Sequence, residues 1–277
     1  LNMHDMANIL PNVLHLRTVE TGLVFIMIGI ALKLAMFPLH LWLPNAYTYA
    51  TSVVTVFLAA TATKVAVYVM LRVLFYVFPT SFALDIPAGD LFILAGITGI
   101  IAASVYAIYQ EDVKRLLAYS SVAQIGYMVL GIGFASTAGV TATLIHLFNH
   151  ALMKGALFMA IGAIIYRIGA CRMEQIHGLG RAMPWTFGAI VIAGLSLIGV
   201  PGTAGFISKW YLVMAALEQS AWISVAVILF GSLLAVVYVG KLIEALYFKP
   251  LTDTGIVVKE APVLLLVPTW ALVIANL

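Results

Sequence analysis

The chain has 277 residues, of which 64% are hydrophobic and 9% charged, and its formal net charge is +3. A soluble domain carries about 25% charged residues, so too few charges are present to clothe a water-facing surface, and lipid must surround most side chains. The small net charge gives no support to nucleic-acid binding, and the single cysteine, Cys171, excludes internal disulfides and any all-cysteine zinc or iron–sulfur site.

Residues 1–5 are polar and Pro11 follows, which is not the pattern of a cleavable secretion signal. Apolar runs and their breakers then predict about eight spans. They cover 21–42, 51–78, 90–109, 116–134, 140–168, 184–216 and 221–248, with a last one starting near 262. Pro79, Pro87, Pro184, Pro250 and Pro262 fall at or between their ends. No soluble domain, linker or low-complexity stretch interrupts them. The chain starts at Leu1 and stops inside the apolar run 263–277. A single transmembrane domain over 1–277, part of a longer polypeptide, is therefore expected. The fold class is all-α, a polytopic helical bundle.

The first span is interrupted. Lys33 is followed by Pro38, about a turn and a half later. In the second span Lys64 lies too deep for its stem to reach a headgroup, and Thr61, Tyr68 and Arg72 share its face by helical spacing. Arg72, nearer the outer end, reads as an interfacial anchor. After the third span, Glu111, Asp112, Lys114 and Arg115 read as a solvated turn. The fourth span places Ser120, Gln124 and Tyr127 on one face, as packing contacts or as support for a water chain.

The fifth span carries His146, His150 and Lys154 at four-residue intervals, which form one stripe on a helix. Two histidines at this spacing suit a metal, but no further acidic or cysteine ligand is near in sequence and Lys154 would repel a cation. Interhelical hydrogen bonds or a proton relay are the alternatives, histidine being the side chain that titrates near neutral pH. The sixth span is broken by the run from Gly199 through Pro201 and Gly202 to Gly205, and Lys209 follows at once. A break frees carbonyls and amides at membrane depth, which is tolerable where protein or water satisfies them, and paired discontinuous helices mark ion pathways in transporters. The alternative is a proline kink with a lysine that snorkels. In the seventh span Lys241 and Glu244 read as a same-face pair, either a salt bridge or a proton exit.

The loops after the third, fifth and seventh spans carry Lys114, Arg115, Arg167, Arg172, Arg181, Lys249 and Lys259, whereas the opposite side has Arg17 and Arg72. That asymmetry places the first group in the cytoplasm, as expected for a multi-pass protein of a prokaryotic inner (plasma) membrane. Lys33, Lys64, Lys154, Lys209 and Lys241 are left inside apolar runs, where only Glu244 is acidic. A charged lysine at mid-bilayer costs about 2.5–3.5 kcal/mol, so a cluster of them needs a reason. In a dry interior, desolvation and neighbouring positive charge favour the neutral base. Lys33, Lys64, His146, His150 and Lys209, with Lys154 on the histidine stripe, are therefore expected to pass protons through intervening water.

These motifs carry a resemblance. Lys33, the run from Phe37-Pro38-Leu39-His40 through Trp42-Leu43-Pro44-Asn45-Ala46, and Lys64 resemble the signature of the antiporter-like membrane subunits. Asp112-Val113-Lys114-Arg115, the His146–His150–Lys154 stripe and Gly205-Phe206-Ile207-Ser208-Lys209 continue the pattern. That family includes pumping subunits of respiratory complex I, membrane hydrogenase subunits and the large subunits of Mrp-type Na⁺/H⁺ antiporters. The resemblance implies the second half of a fold of about fourteen helices built from inverted repeats. In it Lys33 and Lys209 are the lysines of the two broken helices, Lys64 is the neighbour of Lys33, and His146 and His150 form the central relay. It also implies that a glutamate partner of Lys33 lies on an earlier helix outside this chain. Asn45 departs from the acidic residue usual there.

The implied function is proton translocation by a large, lysine-type subunit of an Mrp-type cation/proton antiporter. A complex I pumping subunit, or one of a related membrane hydrogenase, is the alternative, and an inert structural subunit the rival from another class. Partners would be other membrane subunits of a hetero-oligomeric complex, with H⁺ and either Na⁺ or K⁺ as cargo. No dinucleotide loop, haem site or iron–sulfur motif is visible, so no cofactor is expected, and the chain reads as a transport subunit rather than a redox enzyme.

Overall fold

The computed structural model describes residues 2–13, 16–78, 88–169, 171–250 and 258–277; Pro79 and Pro87 lie outside them. The described residues form eleven helices and several 3₁₀ turns. A short α1 (Met3–Ile9) precedes α2 (Arg17–Leu34), which holds most of the first expected span, and α3 (Trp42–Tyr49), which begins at the expected end of that span. Then come α4 (Ser52–Val77), α5 (Ala88–Ile108), α6 (Val113–Gly133) and α7 (Thr137–Ile168). The sixth span is divided into α8 (Pro184–Ile198) and α9 (Ala204–Glu218), followed by α10 (Trp222–Tyr247) and α11 (Val263–Ile274). Five of these, α4, α5, α6, α7 and α10, are by themselves long and apolar enough to cross a bilayer.

Both expected breaks are present, and they are built alike. The first half-helix of each ends on a left-handed residue, Ala35 at φ 60° and Gly199 at φ 91°. Their amides fold back onto carbonyls of the last turn, Ala35 N on Leu32 O and Gly199 N on Leu195 O and Ser196 O. This is the usual way a helix stops without leaving its terminal carbonyls bare. The half-helices that follow start again beyond Pro38 and Pro201. α4 departs from an ordinary helix differently. It contains two π-helical stretches, Leu58–Ala62 and Val73–Val77, which rotate the residues after each one relative to those before.

α6 is almost wholly buried and α7, 32 residues long and unbroken, packs against α4, α6, α8, α9 and α11. Small residues permit the closest crossings. A Cβ on Gly96 of α5 would come within 2.8 Å of the Gly126 carbonyl of α6, and the reverse addition would come within 2.9 Å of Gly96. Large apolar side chains such as Phe25, Val53, Phe57 and Leu264 are exposed, the inverse of a soluble fold.

The connections expected in the cytoplasm meet at one end. Asp112 pairs with Arg172 as an antiparallel bridge, Val113 N donates to Cys171 O, and Met173 N donates to Glu111 O. Arg167 donates to the Glu260 carbonyl, and the Glu260 carboxylate accepts from Trp185 N and Thr186 Oγ1. At the opposite end Arg72 covers the Tyr76 ring at 4.1 Å, as suits an anchor.

Two charged pairings differ from expectation. Lys241 does not pair with Glu244: its ammonium donates to Ile108 O and Gln110 O, both at 2.9 Å, where α5 ends. A helix C-terminus offers several unpaired carbonyls and a partial negative charge, and it takes the cation. Glu244 is exposed and pairs with Lys249 at 2.8 Å. Lys241→Met should therefore lower stability by about 1 kcal/mol, read as a lower melting temperature in detergent, whereas Glu244→Gln should leave it unchanged. Lys114 is not solvated either. It is buried and donates to Ala50 O at 2.9 Å, tying the start of α6 to the end of α3.

Candidate functional site

The helical stripe on α7 is the centre of the bundle's polar interior. His146, His150 and Lys154 are each fully buried. Four-residue spacing stacks the two imidazoles in parallel, with interplanar angle 3° and ring centroids 6.0 Å apart. His146 Nδ1 lies 2.8 Å from Ser208 Oγ of α9, and the direction of that hydrogen bond depends on the tautomer. Among the described residues no third His, Cys, Asp or Glu joins the pair in a metal-holding group.

One end of the stripe leads to α6. Lys154 Nζ donates to Ser120 Oγ at 2.6 Å and Leu117 O at 2.8 Å. The other end leads across Tyr127, whose ring meets His146 edge-on at 5.7 Å, to Lys209 of the second broken helix. Lys209 Nζ sits 4.9 Å from the Tyr127 ring centroid and donates to Leu197 O, Ile198 O and Ser232 Oγ. The two carbonyls are those freed where α8 stops, so the break itself supplies the seat of the ammonium group. Tyr127 OH in turn donates to Ile228 O at 3.3 Å.

Lys64 approaches from α4. It is buried, and its ammonium donates to Ala59 O inside the first π-helical stretch and to Thr63 Oγ1 at 3.4 Å. A π turn leaves a carbonyl outside the regular ladder, and here a lysine takes it. Lys64 is within electrostatic range of His146, His150 and Lys154, and Lys209 is within range of His146. Thr61 and Tyr68, expected on its face, are exposed instead.

The structure thus brings Lys154, His150, His146 and Lys209 into one buried row with Ser120 and Tyr127, with Lys64 beside it. Lys33 stays out of it. In the last turn of α2 the residues packed inward are Ala31 and Leu34, and Lys33 is on the exposed side. Ser208, Ser232 and Tyr238 belong to the row's surroundings, and sequence reasoning assigns none of them a role. Their only signal is a hydroxyl inside an apolar run, and the chain has many of those. Among the described residues, both nitrogens of His150 and His146 Nε2 have no hydrogen-bond partner. Such atoms normally cost about 1–3 kcal/mol each, and native proteins keep few of them.

Fold and site together define a multi-pass membrane protein with two discontinuous helices and a buried, basic interior. The chain belongs to the family described as NADH:quinone oxidoreductase/Mrp antiporter, transmembrane, whose model matches residues 1–235. It is 43% identical over 255 residues to NADH-quinone oxidoreductase subunit N of Desulforudis audaxviator, covering 92% of this chain and 51% of that one. The chain therefore spans about half the length of that relative. A chain in the structure of the membrane-bound sulfane sulfur reductase, an archaeal respiratory membrane complex, superposes with TM-score 0.88 at 32% identity. The match covers 100% of this chain and 55% of that one. The Mrp complex from a Dietzia species shares the fold, with TM-score 0.87 at 23% identity over 99% of this chain and 58% of that one. The resemblance carried by the motifs holds at the level of the family, and the Mrp type is not singled out within it.

Proposed function

We propose that this chain conducts protons along the row Lys154, His150, His146 and Lys209, with Lys64 as a lateral charge, as a subunit of a larger membrane complex. The observation that carries this is the row itself: buried bases side by side, with Ser120, Ser208 and Ser232 each hydrogen-bonded to one of them and the Tyr127 ring against both His146 and Lys209. Each buried lysine is seated on backbone carbonyls rather than on a carboxylate. Neutral seats leave the protons free to move, and water can bridge the unpartnered imidazole nitrogens. Two positive charges at the 6.0 Å separation of the histidine rings repel by about 3 kcal/mol at an effective dielectric near 20. A proton arriving at one base therefore helps to expel the proton on the next.

The 43% identity to an NADH-quinone oxidoreductase subunit N supports a place beside the redox modules of a complex of that type, so that electron transfer in partner subunits drives the protons. Na⁺/H⁺ exchange in an Mrp-type assembly is the second reading, because the family also includes Mrp antiporters.

His150→Leu tests the proton route with little structural cost, since neither ring nitrogen has a partner to lose among the described residues. In proteoliposomes holding the complete complex, proton translocation should fall about a hundredfold, the scale set by one positioned proton-transfer group, with melting temperature unchanged or raised. Undiminished translocation would leave the row inert and the chain a structural subunit. Repeating the assay with and without Na⁺, and with and without an electron donor, separates the two readings of the complex.

A further inference from the structure

We propose that a cleft at the cytoplasmic end of α4 and α7 binds one anionic phospholipid of the surrounding membrane. Two cavities meet there. One, of about 580 Å³, is polar and lined among others by Thr48, Thr51, Lys114, Arg172 and Gln175. The other, of about 410 Å³, is apolar and runs between α4, α7 and α11 past Val53, Val56, Phe158, Met159, Leu265 and Pro268. Ser52 and Ile165 line both, so the two are halves of one continuous cleft.

Its shape and polarity are those of an amphiphile. The apolar half lies against helices of membrane-spanning length, where acyl chains are the solvent. The polar half opens among the loops that gather the chain's basic residues. Among the described lining residues, Asp112 is the one carboxylate near Lys114 and Arg172, and its Oδ1 already accepts from Arg115 N at 2.9 Å. Cys171, on the same wall, adds no charge, because burial pushes its thiol pKa up. Basic pockets between helices on the cytoplasmic side suit anionic headgroups. The hydroxyls of Thr51 and Ser52, at the start of α4, stand at the junction where a glycerol backbone would rest. A soluble anion would have no use for the lower half, and an unlipidated peptide none for so abrupt a change of polarity.

The complete complex, purified in mild detergent, should retain about one phosphatidylglycerol per chain by native mass spectrometry and exchange it slowly. Arg172→Glu reverses a charge at the mouth and should weaken retention about tenfold or more, with phosphatidylcholine unaffected. Gly162→Leu fills the apolar half, since a Cβ there already meets Ser52 Cβ at 3.3 Å, and should remove both lipids. Neither residue belongs to the proton row, so translocation serves as the folding control. Equal retention of the two lipids in every variant would overturn the proposal, as would displacement of the lipid by inorganic phosphate. Absence of bound phospholipid from all preparations would mean that a protein segment fills the cleft, and would overturn it too.

Discussion

Lys209→Ala is expected to reduce proton translocation by about a hundredfold or more while the complex still assembles. The ammonium group sits at the junction of α8, α9 and α10 and is the last base of the row, so no neighbour can replace it. Its removal also bares the Leu197 and Ile198 carbonyls, at a cost of about 1–3 kcal/mol. Lys209→Gln separates the missing proton carrier from the disturbed break. Glutamine offers an N–H to the same carbonyls but has no nitrogen that titrates. Transport should be as low in Lys209→Gln as in Lys209→Ala, with stability recovered. Normal transport by the glutamine variant would show that the lysine is only a structural plug, and the assay is dye-reported acidification of proteoliposomes.

The second large effect concerns the fold. Gly205→Val should destabilise the chain by at least about 3 kcal/mol and sharply reduce the amount recovered from membranes. Any Cβ at this position would coincide with the Ser196 carbonyl and approach Met153 Cε to 3.0 Å. The Gly205 amide also donates to Ser196 Oγ at 3.2 Å, so backbone is pressed against backbone at the start of α9. Neither side can yield as a flexible side chain would. A thermal melt indistinguishable from wild type would show that α8 and α9 are not locked at this crossing.

How much of the fold and the row is legible in the sequence depends on the kind of signal. The two breaks are legible because Pro38, and Pro201 followed by Gly202, fall inside apolar runs where a proline removes a backbone donor and kinks or breaks the helix. The histidine stripe is legible because α7 is unbroken, so four-residue spacing survives as a face. The same rule fails on α4. The π-helical stretch at Leu58–Ala62 rotates the helix just before Lys64, and nothing in the composition of Leu-Ala-Ala-Thr-Ala announces it. Hydropathy reports depth along the membrane normal and says little about azimuth. Lys33 and Lys209 occur in equally apolar runs, yet one is exposed and the other buried. Lys241 and Glu244 are three residues apart on one helix, but the stronger partner is the end of α5, 131 residues away in sequence at Gln110. Lys114 likewise answers to a helix terminus that no local pattern could reveal.

The lysines seated on carbonyls have a consequence for control. A carboxylate partner can be neutralised, and a cation that leans on one is released by acid. Peptide dipoles cannot be discharged in this way: they hold the ammonium of Lys154, Lys209 or Lys64 with the same strength in an acidic or an alkaline compartment. Release must instead come from a positive charge arriving on a neighbouring base, or from a side chain swinging off its seat. For Lys209, whose seat is the end of α8, whatever tilts the joint at Gly199 also moves the seat.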